Sequence, residues 1–169
     1  PAVFLDRDGV INHDTGHLYK IKDFKWKKGA IDTIRYLFEN NYYVFIITNQ
    51  SGIGRGLYKE NDVIKLHEWI NLELLKENCK IDEFVFSPFY KKSKIKKYKS
   101  KKYLNMRKPN TGMIDYLIKK WPINIKKSFL IGDNLTDICA GTKRNIYSER
   151  IDSKQNLLTL TKKIHKKMN

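Results

Sequence analysis

Short apolar runs alternate with helical patterns along the 169-residue chain, and this alternation limits its fold more than any other feature. The predicted strands are residues 3–6, 43–48, 84–87, 128–132 and, more weakly, 146–148. Four apolar faces recur at helical spacing between and after them: Ile31, Ile34, Leu37 and Phe38; Val63, Leu66, Ile70 and Leu74; Met113, Ile114, Leu117 and Ile118; Leu157, Leu160 and Ile164. Strands that take turns with helices predict an α/β fold with a parallel sheet covered by helices on both faces.

Two aspartates follow the first predicted strand. Asp6 and Asp8 are separated by one residue, and Gly9 comes next, so the chain can turn sharply beyond them. Side chains two positions apart along a strand point the same way, which brings both carboxylates to one spot. One carboxylate can attack a phosphorus atom while the other exchanges a proton with the leaving oxygen. A divalent cation is needed to keep two such close negative charges ionised.

Polar groups also follow the other predicted strands. Residues 48–52 (TNQSG) offer a hydroxyl and backbone amides for phosphate oxygens, and Asp133 adds a third acid after the fourth strand. Arg107 and Lys108 stand before the third helical face, where their charges could stabilise a transferring phosphoryl group. Ligands of parallel α/β sheets bind outside the carboxyl ends of the strands, so these groups predict one site.

These motifs resemble those of the haloacid dehalogenase superfamily of phosphohydrolases, over residues 3 to about 141. The resemblance implies that Asp6 forms an aspartyl-phosphate and that Asp8 is the general acid and then the base. It implies that Thr48 and Lys108 hold the phosphoryl group. It further implies one Mg²⁺ ion, held by the Asp6 carboxylate, the Asp8 backbone carbonyl and Asp133.

Finer strings resemble the heptose 1,7-bisphosphate 7-phosphatase branch. They are residues 4–12 (FLDRDGVIN), 14–17 (DTGH), 48–56 (TNQSGIGRG) and 107–109 (RKP). Histidinol-phosphate phosphatases share much of this set, so a histidinol-phosphate or broader sugar-phosphate phosphatase is the alternative. The branch removes the 7-phosphate of D-glycero-D-manno-heptose 1,7-bisphosphate on the route to nucleotide-activated heptose for lipopolysaccharide, capsule or S-layer glycans. The resemblance implies a substrate pocket lined by Asp14, Thr15, Gly16, His17, Asn49, Gln50, Ser51, Arg107 and Asn134.

The spacing leaves no room for a separate cap domain, so we expect residues 1–169 to form one capless, three-layer Rossmann-like domain. Its cleft would be bordered by a flap at residues 9–28 and a lysine-rich loop at residues 88–106. Relatives of this branch carry zinc in that loop, but the matching positions here are Ser87, Phe89, Leu104 and Met106. None of these four is a normal zinc ligand, so no zinc is expected.

The formal charge of +16 is concentrated, since residues 91–102 contain eight lysines and no acid. We interpret them either as a solvated surface or as a lid over the cleft that attracts a bisphosphate. Tyr90, Tyr98 and Tyr103 between the lysines leave nucleic-acid binding, or a nucleic-acid end phosphatase, as a less favoured alternative. Two distant cysteines, no leader and no long apolar run predict a soluble, cytoplasmic protein without a membrane partner, and we expect a monomer.

Overall fold

A computed structural model describes residues 1–168 of the chain. Its centre is a sheet of five parallel strands in the order β3-β2-β1-β4-β5. The strands are β1 (Ala2–Leu5), β2 (Tyr43–Asn49), β3 (Glu83–Ser87), β4 (Phe129–Gly132) and β5 (Tyr147–Arg150). All five predicted strands are present, each within about two residues of its expected ends, so the predicted α/β class is confirmed.

Seven α-helices are found within residues 1–168. They are α1 (Ala30–Glu39), α2 (Ser51–Gly54), α3 (Glu60–Lys76), α4 (Lys101–Met106), α5 (Gly112–Lys120), α6 (Leu135–Thr142) and α7 (Leu157–Met168). The four predicted helical faces lie on α1, α3, α5 and α7. A helix after the fourth motif, which carries Asp137 and Cys139, was also expected and is α6. The sequence did not predict α2 or α4, which have only four and six residues. No helix in the described part of the chain is both long and apolar enough to cross a membrane.

Alternate residues of the central strands face two separate cores, as the pleat of a strand requires. Val3 and Leu5 pack with α1, α3 and α7 on one side, whereas Ala2 and Phe4 pack with α5 and α6 on the other. The sheet is therefore the middle of three layers, as predicted. Nearly all of its central side chains are fully buried, which gives the strand ends a rigid base.

The topology fixes where a site can form. The chain moves outward from β1 to β2 and β3, then returns to place β4 on the other side of β1. Crossovers therefore leave β1 and β4 in different directions, and a crevice opens beyond their carboxyl ends. Residues 9–28 border this crevice with only one short 3₁₀ helix, Ile21–Asp23, and two isolated bridges, so this flap contains no domain of its own.

Candidate active site

A cavity of about 380 Å³ lies at the carboxyl ends of β1, β2 and β4. Thirteen of the fourteen predicted site residues line it, together with three that were not predicted to bind substrate or catalyse. The lining residues are Asp6, Asp8, Asp14, Gly16, His17, Thr48, Asn49, Gln50, Ser51, Tyr58, Arg107, Lys108, Asp133, Asn134, Thr136 and Asp137. The strand-end motifs and the flap residues implied by the family resemblance therefore meet in one cavity.

Thr15 is the exception, because it does not line this cavity, and its contact with substrate stays a prediction. It is exposed and borders a neighbouring depression with residues 16–20, which shares Gly16 and His17 with the cavity. The reason is the local turn: Asp14 accepts a hydrogen bond from the backbone N–H of Gly16 at 2.8 Å, and both Gly16 and His17 have positive φ angles. This turn directs Gly16 and His17 to the cavity and leaves Thr15 outside.

Lys108 is buried at the centre of the site, with 2% of its side chain exposed. Its Nζ lies 2.9 Å from Asp6 Oδ1 and 2.7 Å from Asp137 Oδ1, and it donates to the Ile47 carbonyl at 2.7 Å. Burial disfavours its charge, but the two carboxylates outweigh that effect and raise the pKa of Lys108. The lysine is therefore a fixed positive charge beside Asp6.

Asp6 lies in an unusually acidic environment. Burial, followed by the charges of Asp137 and Asp8, raises its pKa to about 7 even though Lys108 acts in the opposite direction. Oxygens of Asp6, Asp133 and Asp137 lie within 4.8 Å of one another. Burial and Asp137 also raise the pKa of Asp133. Such a group of carboxylates has the oxygen donors that Mg²⁺ prefers, and a bound cation would keep them ionised.

The backbone at Gly9 lies directly against the carboxylate of Asp133. Gly9 has a φ of +82°, and a Cβ atom there would overlap the carboxylate of Asp133. The N–H of Gly9 donates to the Asn12 carbonyl at 2.8 Å, and the carbonyl of Gly9 accepts from Lys27 Nζ at 2.7 Å. Glycine is required at this turn both for its left-handed conformation and for the space that Asp133 occupies.

Asp8 is held by donors on several sides. Arg7 Nη2 lies 3.0 Å from each of its oxygens, Asn12 Nδ2 donates to Oδ1 at 3.0 Å, and Gln50 Nε2 donates to Oδ2 at 2.9 Å. Gln50 also donates to the Thr48 hydroxyl at 2.9 Å and accepts from Tyr58 at 2.7 Å. Gln50 was predicted to contact substrate, but its polar atoms here connect Asp8, Thr48 and Tyr58.

Asn49 likewise holds a neighbouring segment in place. Its Oδ1 accepts from the Lys108 N–H at 3.0 Å, and its Nδ2 donates to the Lys108 carbonyl at 3.1 Å. The end of β2 is thereby tied to the loop that carries Arg107 and Lys108. This pairing brings together two motifs that are 59 residues apart in the sequence.

Arg107 and Arg55 form a positive region at the edge of the cavity. Arg107 lines the cavity, and its Nη1 is buried without a hydrogen-bond partner in the described chain. Burial and the nearby Arg55 lower the pKa of Arg107. Arg55 stacks over the Tyr90 ring at 4.1 Å. Neither arginine makes an ion pair with any carboxylate of residues 1–168, so both are available to an anion.

The lysine-rich segment is ordered by packing and hydrogen bonds. The backbone N–H of Tyr90 donates to the Tyr98 carbonyl at 3.1 Å, Lys97 pairs with Glu60 at 2.8 Å, and Ser87 donates to the Tyr103 carbonyl at 2.9 Å. None of the eight lysines lines the cavity. The interpretation of this segment as a lid in contact with the cleft is therefore not supported by the structure.

Sequence reasoning assigned no role in the site to Arg7, Asn12 or Tyr58, and left Asp137 open between a metal partner and a helix acid. Asp137 accepts from the Asn134 N–H at 2.9 Å to cap α6, and it also pairs with Lys108. Its oxygens lie near those of Asp6 and Asp133, and a role as a metal partner stays a prediction. The spacing of Asp133 and Asp137 could have indicated this proximity. No signal in the sequence marks Tyr58, which reaches Gln50 only through the fold.

Comparisons with known proteins agree with this geometry. Residues 4–164 match the profile of the family described as polynucleotide kinase 3 phosphatase. D-glycero-beta-D-manno-heptose-1,7-bisphosphate 7-phosphatase of Rhodopseudomonas palustris is 40% identical over 152 residues, which cover 90% of this chain and 83% of that protein. D-glycero-alpha-D-manno-heptose-1,7-bisphosphate 7-phosphatase of Campylobacter jejuni is 41% identical over 145 residues, covering 86% and 78%.

Solved structures share the fold. D,D-heptose 1,7-bisphosphate phosphatase from B. bronchiseptica, complexed with magnesium and phosphate, superposes with a TM-score of 0.76 at 19% identity, over 99% of both chains. A protein from Mesorhizobium loti described as a HAD-like phosphatase gives 0.86 at 24% identity, over 98% of this chain and 86% of that one. The strand-end motifs, the fold and the sequence identity together show that the chain belongs to the haloacid dehalogenase-like phosphatases, in the family that includes the heptose-1,7-bisphosphate 7-phosphatases.

Proposed function

We propose that this protein is a Mg²⁺-dependent phosphomonoesterase that removes the 7-phosphate of D-glycero-D-manno-heptose 1,7-bisphosphate. The observation that carries the proposal is the contact of Asp6 with buried Lys108, inside a group of three carboxylates at the floor of the cavity. The names of the relatives supply the sugar. The product would enter the synthesis of nucleotide-activated heptose for lipopolysaccharide, capsule or S-layer glycans.

Asp6 is the proposed nucleophile. Its Oδ1 is held by Lys108 at 2.9 Å and accepts from the Arg7 N–H at 2.8 Å, which fixes the carboxylate at the end of β1. Asp6 attacks the phosphorus, and the bond to the sugar oxygen breaks as the aspartyl-phosphate forms. Lys108 and the Thr48 hydroxyl stabilise the charge that develops on the phosphoryl oxygens.

Asp8 is the proposed proton carrier. It donates a proton to the departing sugar oxygen, which would otherwise leave as an unstable alkoxide. Asp8 then takes a proton from the water that attacks the phosphorus of the aspartyl-phosphate. The bond between phosphorus and the Asp6 oxygen breaks, inorganic phosphate leaves and the Asp6 carboxylate is restored. Gln50 and Asn12 hold the carboxylate during both steps.

The carboxylates fit a single Mg²⁺ ion. Asp6, Asp133 and the Asp8 backbone carbonyl are the proposed ligands, and the proximity of Asp137 makes it a neighbour or a further ligand. When bound, Mg²⁺ would neutralise phosphoryl oxygens and allow an anionic substrate to approach an anionic nucleophile. Asp133 keeps its place because Gly9 leaves room for it.

A second phosphate on the substrate is favoured by Arg107 and Arg55. Lys108 is paired with Asp6 at the reacting end. The two arginines have no carboxylate partner within residues 1–168, so they form a second positive site. A guanidinium can bind a phosphate with two parallel hydrogen bonds, and Arg107 Nη1 has a free donor for it. A bisphosphate would place its uncleaved phosphate there.

Phosphate-release assays with Mg²⁺ test the proposal. The substrates are both anomers of heptose 1,7-bisphosphate, histidinol phosphate, and a 3′-phosphorylated oligonucleotide, which represents the matched family profile. We expect the highest kcat/KM with a heptose bisphosphate. A higher value with histidinol phosphate or the oligonucleotide would refute the assigned substrate.

Two variants separate chemistry from recognition. Asp6→Asn should abolish turnover, whereas Asp32→Asn, an exposed aspartate of α1, should not change it. Arg107→Met should raise KM for the bisphosphate far more than for a sugar monophosphate. Turnover retained by Asp6→Asn would refute the nucleophile assignment.

We also propose that residues 1–169 are one capless domain that acts as a cytoplasmic monomer. The flap and the lysine-rich segment hold only short helical turns and α4, which supports the capless arrangement. Light scattering after size exclusion should give the mass of one chain, about 20.1 kDa. A mass of two chains would contradict the proposed monomer.

A further inference from the structure

Arg7 stands between the two aspartates and is the largest fully buried side chain of the described protein. A buried guanidinium is costly unless acceptors surround it. Its Nη2 lies 3.0 Å from both oxygens of Asp8 and 2.7 Å from the carbonyl of Leu18, which is on the flap. Its Nε contacts Asp8 Oδ1 at 3.3 Å. Arg7 thus connects the carboxylate of Asp8 to the flap.

The third side of the guanidinium faces His67. Arg7 Nη1 lies 3.2 Å from His67 Nε2, and the imidazole, 5% exposed, stacks on Phe84 of β3 at 4.4 Å. Arginine can only donate hydrogen bonds, so Nε2 must be the acceptor and the ring proton must be on Nδ1. Burial and the charge of Arg7 lower the pKa of His67 well below 6.5, which keeps the ring neutral.

These acceptors lie in three directions around a planar group. Asp8 lies on one side, Leu18 on another and His67 on the third, so the guanidinium cannot rotate without losing a buried hydrogen bond. A lost bond of this kind leaves a buried donor without a partner, which costs about 1–3 kcal/mol. A histidine in α3 that does not touch Asp8 thus holds one of the groups that orient it, the guanidinium of Arg7.

We propose that Arg7 and His67 are positioning residues that orient Asp8 for proton transfer to the leaving group. The inference rests on the proposed function, because it assigns Asp8 the proton step. His67 fixes Arg7, and Arg7 fixes the Asp8 carboxylate. Misplacing a proton donor by about 1 Å can cost on the order of 100-fold in rate.

Leaving-group dependence separates this role from general support of the fold. A sugar oxygen needs a proton as it departs, whereas p-nitrophenolate leaves as a stable anion without one. The ratio kcat/KM covers the steps up to release of the leaving group, so it reports the donated proton for the sugar only. A fold defect would lower both substrates together.

The test compares His67→Leu and His67→Gln with wild type on heptose 1,7-bisphosphate and p-nitrophenyl phosphate. Leu removes the acceptor, whereas Gln places its amide oxygen near the position of Nε2. We expect His67→Leu to lower kcat/KM for the bisphosphate about 10- to 100-fold. His67→Leu should change kcat/KM for p-nitrophenyl phosphate less than about twofold. His67→Gln should restore kcat/KM for the bisphosphate.

Ile70→Val is the matched control, since Ile70 is buried in the same helix and its aliphatic side chain cannot form a hydrogen bond with Arg7. It should leave the ratio of the two substrates unchanged. Equal losses on both substrates by His67→Leu, or no loss, would overturn the inference alone. Wild-type protein that cleaves neither substrate would instead overturn the proposed function.

A measurement on the wild-type protein avoids any folding defect of the variants. Nitrogen NMR of the histidine rings should show His67 with a proton on Nδ1 and an unprotonated Nε2 near neutral pH. A proton on Nε2 would place two donors against each other and would overturn the inference.

Discussion

Replacement of Lys108 by methionine should strongly destabilise this protein. Lys108 is almost completely buried and makes three close contacts, to Asp6 at 2.9 Å, Asp137 at 2.7 Å and the Ile47 carbonyl at 2.7 Å. Methionine has a similar length but no charge, so it would leave two carboxylates uncompensated in the interior. Removing one partner of a buried ion pair costs about 3–5 kcal/mol.

That loss corresponds to a lower Tm by about 6–20 °C, since 1 kcal/mol shifts the Tm of a domain of this size by roughly 2–4 °C. Chemical denaturation and thermal melts without Mg²⁺ measure it. Lys119→Met is the matched control, because Lys119 is exposed on α5 and should change stability by less than about 0.5 kcal/mol.

A second substitution tests the cause. Asp137→Asn removes one of the two charges left behind, so the double variant should recover part of the stability that Lys108→Met lost. Mg²⁺ should also raise the Tm of Lys108→Met, because a cation would replace the missing positive charge. A loss below about 1 kcal/mol, with no recovery in the double variant, would refute the electrostatic reasoning.

Three further predictions follow from other parts of the structure. Gly9→Ala should lower activity and weaken the response to Mg²⁺, because the added Cβ would displace Asp133. Gly56→Ala introduces the same backbone strain at a position with open space, so it should lower stability without lowering activity. Equal activities of the two variants would contradict this reasoning. Because the pKa of His67 is lowered in the folded state, the unfolded state takes up a proton first as the pH falls below 6.5, and stability falls. Between pH 6.5 and pH 5.5 the wild-type protein should therefore lose more stability than His67→Gln in paired melts, and parallel pH profiles of the two proteins would exclude this. Elemental analysis should find no stoichiometric zinc, and one zinc atom per chain would contradict the assignment of positions 87, 89, 104 and 106.

Two residues that were predicted to bind substrate also have another role in the structure. Asn49 and Gln50 line the cavity as expected, but their amides connect other site residues to one another. An amide beside a phosphate site can serve either purpose, and the sequence pattern is the same for both. Whether such an amide binds phosphate or connects site residues depends on the groups that lie about 3 Å from it. Segments far away in the chain supply those groups.

The sequence by itself determined the α/β class, the five strands and the aspartates at their ends. Strand pleating and helical periodicity depend on neighbouring residues, so the sequence pattern predicts the elements. The carboxyl ends of parallel strands lie at one edge of the sheet, so the residues that follow them come together. Thus Asp6, Asp8, Thr48 and Asp133 could be grouped before any coordinates were known.

Only the tertiary structure decided how those groups are held. Arg7 looked like one more charged residue in a strand-end motif, yet packing buries it completely between Leu18, His67 and Asp8. Lys108 became the partner of Asp137 as well as Asp6. The physical reason is that burial makes every unpaired charge costly, so the partners must be found wherever the fold brings them, and sequence spacing does not record that.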